Sequence, residues 1–130
     1  MCIRDSYDPD NAMVLNNYAY FLSLEGRELE KALTMSSRAI ALTDNNPTYL
    51  DTHAWVLFNL GRTAEAKKVM QQAIALDGQE SAALLVHYGD ILHAMGEQFM
   101  AEIYWRKGLE KGYDADQITR RMEQGKAEKE

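Results

Sequence analysis

One feature constrains this chain more than any other: it repeats itself every 35 residues. The stretches LNNYAYFLSLEG, LDTHAWVLFNLG and LVHYGDILHAMG begin at Leu15, Leu50 and Leu85 and end at Gly26, Gly61 and Gly96. Each opens with leucine. A ring residue follows (Tyr18, His53, Tyr88), then a small one (Ala19, Ala54, Gly89), then Leu22, Leu57 or Leu92. These offsets trace one face of a helix. The closing glycine ends it, where the backbone needs positive φ. A repeat of this length is one supersecondary unit that cannot bury its apolar face alone and stacks on copies of itself.

A second helix is expected after each glycine. Its small residues are Ala32 and Ala39, then Ala66 and Ala73, then Ala101 and Gly108, with Ser36, Met70 and Trp105 between them. Small side chains let two helices approach closely, and the larger residue fills the space between. Ser36 is short for that task, so the first hairpin is expected to be loosely filled. The predicted fold is all-α: a solenoid of three antiparallel helical hairpins plus a C-terminal capping helix. The repeats are placed at 12–46, 47–81 and 82–113. In the cap, at 114–130, Asp114 or Asp116 starts a short helix with Ile118 and Met122 on one face, and GKAEKE is expected to fray.

This small–large–small pattern with its central glycine resembles the tetratricopeptide repeat family, and the resemblance covers nearly the whole chain after Ser6. The wording from LNNYAYFLS to the final YW.KG is also similar to the C-terminal end of longer bacterial tetratricopeptide proteins. YDPDN then matches the family's link between repeats, so 7–11 is expected to be the tail of a truncated earlier repeat. MCIRDS resembles translated transposon-end adapter from a sequencing library, so 1–6 is expected to be a non-native leader on a metagenomic fragment. On that expectation Cys2 carries no information about redox compartment.

Several classes of function are disfavoured by the residues themselves. The formal charge is −6, and no cluster of Lys and Arg precedes the C-terminal tail, so nucleic acid is not an expected partner. Apolar runs are too short for a membrane span, and no membrane insertion is expected of this chain. One cysteine excludes a disulfide framework. His53 lies on a packing face, and His87 and His93 have the wrong spacing for a helical zinc site. No nucleophile–base set, phosphate loop or carboxylate pair stands out, although Asp90 and His93 are close enough on a helix to pair. No catalytic residue, metal or cofactor is assigned, and the chain is not expected to be an enzyme.

By the resemblance, the first helices line a concave groove that holds a peptide or partner helix. The residues assigned to it are Asn16 and Tyr20, then Asp51, Trp55 and Phe58, then Val86, Asp90 and His93. The implied function is a non-catalytic protein–protein interaction module. Asp51 and Asp90 favour an apolar and basic partner. Chaperone-binding members grip a carboxylate with Lys and Arg on this face, and this stripe has neither. The second reading is a passive structural segment of a larger multidomain protein, an enzyme among the candidates, with the groove filled by its own chain.

Overall fold

The helix ends follow from local chemistry. Gly26, Gly61 and Gly96 all adopt the left-handed conformation, with φ of 68°, 83° and 82°. The residue after each glycine donates its N–H five positions back: Arg27 to Leu22, Arg62 to Leu57 and Glu97 to Leu92. This closes the last turn and satisfies carbonyls that the helix itself leaves open. The starts are capped by side chains. Asn11 accepts from the Val14 N–H, Asn46 from Thr48 and Ser81 from Leu84, and Pro47 sits in the first turn of its helix.

The computed structural model describes residues 11–76 and 81–129. Among them are seven helices and no strand. They are α1 (Ala12–Glu25), α2 (Leu29–Thr43), α3 (Pro47–Asn59), α4 (Thr63–Ala75), α5 (Ala82–Ala94), α6 (Gln98–Glu110) and α7 (Ala115–Lys129). The expected leader at 1–6 lies outside the described residues, as does the expected repeat tail at 7–11 except for Asn11. The helices form two compact units, Met1–Leu76 and Asp77–Glu130.

In the first unit, α1 pairs with α2 and α3 with α4, and α3 docks on both α1 and α2. The core holds Leu15, Ala19 and Leu22 from α1, Ala32, Met35 and Ala39 from α2, and Val56 from α3. The pairing alanines of the second hairpin, Ala54, Ala66 and Ala73, are also fully buried, with Met70 between the last two. The expectation of a loose first hairpin is corrected here. Ser36 is fully buried, and His53 reaches it from α3 with Nδ1 2.7 Å from the Ser36 Oγ.

In the second unit, α5 pairs with α6, and α7 lies against α6. This crossing is close. A Cβ added to Gly89 would lie 2.5 Å from Cδ1 of Trp105, and one added to Gly108 would overlap Cγ2 of Val86. Trp105 is 1% exposed, so the largest side chain in this core lies directly on a glycine. Asp114 starts α7 as expected, accepting from the Asp116 N–H with its side chain and from Ile118 with its carbonyl. Where fraying is expected, α7 instead continues as helix to Lys129.

Alanine is favoured over glycine in a helix by about 1 kcal/mol, yet Gly108→Ala should destabilise the fold. The added methyl has no room, and overpacking costs about 1–3 kcal/mol. Ala66→Leu should act in the same direction, whereas Lys68→Leu, on the exposed side of α4, should be nearly neutral. Urea unfolding of the three variants checks this. Equal effects at Ala66 and Lys68 would contradict the packing register.

Candidate functional site

The residues assigned to the groove fall into two groups, one in each unit. In the first unit, α1 carries Asn16 and Tyr20, and α3 carries Asp51, Trp55 and Phe58. Ala19 and Ala54 commit one face of each helix to the core, which leaves these residues on another. Tyr20, Asp51, Trp55 and Phe58 are half-buried. The Trp55 and Phe58 rings are tilted at 42° with centroids 5.2 Å apart, within the range of a favourable aromatic pair. The Trp55 carbonyl accepts from the Asn59 side chain, 2.8 Å away, on the next turn of α3.

Asn16 differs from its neighbours. It is 8% exposed, and its Oδ1 is a buried oxygen without a hydrogen-bond partner. Leaving a polar atom buried and unsatisfied costs about 1–3 kcal/mol.

In the second unit, the residues assigned to the groove are already engaged. Val86 is fully buried against Gly108, in the crossing of α5 and α6. Asp90 accepts from three donors of its own chain. Trp105 Nε1 lies 3.0 Å from Oδ1, and Arg121 grips both oxygens, Nε to Oδ1 at 2.7 Å and Nη2 to Oδ2 at 3.1 Å. This hydrogen-bonded pairing raises the Arg121 pKa further above its ordinary value. His93 pairs through Nδ1 with Oε1 of Gln98, and its ring lies 5.5 Å from that of Trp105. Asp90 thus takes partners from α6 and α7, and His93 takes one from α6.

Sequence reasoning missed Arg121, which shares no repeat position with Asp90. It also missed the Ser36–His53 bond. The Ser36 Oγ lies within hydrogen-bond distance of both the Leu33 carbonyl, at 3.1 Å, and His53 Nδ1, at 2.7 Å. Burial lowers the His53 pKa, Arg62 lowers it further, and Glu65 opposes. Arg62 and Glu65 themselves form an exposed ion pair at 2.8 Å. Among the described residues, no group of three or more His, Cys, Asp or Glu is placed to hold a metal ion. No helix there is long and apolar enough to cross a membrane.

Paired helices with small residues where α1 to α6 cross in pairs define a helical-repeat fold. Comparison with known proteins gives that class a name. A TPR repeat-containing protein of Pseudomonas aeruginosa is 31% identical over 67 residues, which is 52% of this chain and 11% of that protein. The chain therefore spans about a tenth of the length of its curated relative. The first TPR domain of the human RPAP3 protein, solved by NMR, has a TM-score of 0.80 at 18% identity, covering 92% of this chain and 93% of that domain. No family model matches the sequence. By fold the chain is similar to a tetratricopeptide-repeat domain, and over 67 residues its sequence is similar to part of a TPR repeat-containing protein.

The histidine generates a prediction with a definite sign. The folded-state pKa of His53 lies below its ordinary 6.5, so below that pH the unfolded chain binds the proton more readily than the fold does. Stability should then fall as pH drops through about 6.5 and reach its full loss below the depressed value. His53→Gln should remove this component. Urea midpoints compared between pH 7.5 and pH 5 should drop further for the wild type than for the variant. Parallel profiles would show that the His53 proton is not linked to folding.

Proposed function

We propose that the chain is a non-catalytic protein-interaction module, and that it takes up an extended peptide or partner helix on the α1–α3 face of its first unit. Tetratricopeptide folds serve in general as protein-interaction modules. The observation that carries the finer reading is the paired Trp55 and Phe58, half-buried on a helix whose other face supplies the core. Rigid aromatic side chains of this kind are frequent anchors at interfaces. Tyr20, half-buried on α1, is assigned to the same face.

Charge narrows the partner class. Asp51 lies one helical turn from Trp55, and the whole chain carries −6. An apolar and basic ligand fits this field, and a nucleic-acid backbone does not. The partners and activity of the full-length protein are part of the same proposal, since the chain matches so small a share of its curated relative.

The second reading, a segment whose binding surface is filled by its own chain, finds support in the second unit alone. There Asp90, assigned to a ligand's cation, is held by Arg121 of α7.

Trp55→Ala should weaken partner binding by roughly 2 kcal/mol or more, as truncation of an interface anchor does. Its circular dichroism should be unchanged. Asp51→Lys should act mainly on association rate and salt dependence. The ligand is obtained by peptide display, where apolar and basic sequences are expected to be enriched. Unfolding of Trp55→Ala would assign that residue to the core, and a selection dominated by acidic peptides would refute the charge argument.

A further inference from the structure

The geometry around Asp90 points to a second binding seat. We infer that α7 is a displaceable plug: it occupies a seat on α5 and α6 that also accepts an amphipathic helix of a partner protein. Such a helix carries an apolar residue followed three positions later by arginine, as α7 does with Ile118 and Arg121. The inference does not rest on the aromatic face of α1 and α3 and uses none of its residues.

One side of the seat is held by α5 and α6 themselves. Trp105, 1% exposed in the core, aims its indole N–H at Asp90 Oδ1 from 3.0 Å and so fixes the carboxylate. What remains is a two-oxygen acceptor matched to the fork of a guanidinium. Arg121 fills it in bidentate fashion, and the Tyr113 ring lies 5.6 Å from its Cζ. The Asp90–Arg121 pair is itself only partly covered, with side chains 17% and 24% exposed.

The rest of the α7 contact is shallow. Among the described side chains of α7, Ile118, 3% exposed, is the one apolar residue in the buried core. The seam beside it stays open as a cavity of about 370 Å³, with Arg106 and Leu109 of α6 facing Ile118 and Met122 of α7. Leu109 is 40% exposed on its rim. One apolar anchor and one arginine are features that another helix can reproduce. The chain's own α7 holds the seat because its tether gives it a high local concentration. An outside helix must compete, and its apparent affinity is reduced by the fraction of seats already taken.

The test uses a labelled peptide with the sequence of Ala115–Lys129 and three full-length chains. They are the wild type, an unseated variant with Ile118→Asp and Arg121→Glu, and that same variant with Asp90→Lys added. The peptide should bind the unseated variant at least tenfold more tightly than the wild type, with a change in Trp105 fluorescence, and Asp90→Lys should abolish the gain. Amide hydrogen exchange on the wild type covers the case in which the variants fail to fold: α7 should exchange much faster than α5 and α6. An unseated variant that stays helical but does not bind the peptide would overturn the inference. So would protection of α7 equal to that of α5 and α6.

Discussion

Close approach of paired helices through alanine and glycine is the constraint on which the rest of this structure depends. A helix flanked by small residues on one face brings its partner near enough for backbone and side chain to touch. At Gly89 and Gly108 no room is left even for a methyl group. Close packing of this kind has few solutions, so it fixes which face of each helix is consumed. It also fixes where the large residues between the small ones must sit. Met70 and Trp105 fill their positions directly, whereas Ser36 does so with the help of His53 from the following hairpin.

Function follows from what that commitment leaves over. Once Leu15, Ala19 and Leu22 are spent on the core, α1 has another face for Asn16 and Tyr20, and α3 has the matching face for Asp51, Trp55 and Phe58. Asn16 is buried, and the other four side chains are half-buried. The aromatic pair of Trp55 and Phe58, with ring centroids 5.2 Å apart, is the feature on which the proposed binding face rests. The second unit uses the equivalent helix differently. There the carboxylate on α5 is satisfied from within, by an indole and a guanidinium of the same chain. One repeat scaffold thus carries an aromatic face in one unit and an ion-paired, helix-covered face in the other.

Most of the fold was legible in the sequence because its causes are local. Gly26, Gly61 and Gly96 take positive φ at the expected helix ends, and Ala54, Ala66 and Trp105 are buried as their spacing requires. The candidate site was legible only in part. The Ser36–His53 bond joins residues 17 apart and the Asp90–Arg121 pair residues 31 apart. No period of the repeat connects either pair. Val86 shows a subtler limit. It has the same register as Asp51, 35 positions earlier, and periodicity sends both to the open face. Gly108 draws α6 in until Val86 is fully covered, whereas Asp51 stays half-buried. Periodicity gives a side chain's direction, and only the neighbour's size decides whether that direction is open.

The central claim is that glycine and alanine set the helix spacing, and nuclear Overhauser spectroscopy reads that spacing directly. In the chain labelled at valine methyl groups, the account predicts strong cross-peaks between the Gly108 Hα protons and the Val86 γ-methyls. It predicts equally strong ones between the Gly89 Hα protons and the Trp105 indole ring. A chain that is fully helical yet lacks these cross-peaks would have its hairpins spaced by ordinary side-chain packing, and the account would be wrong.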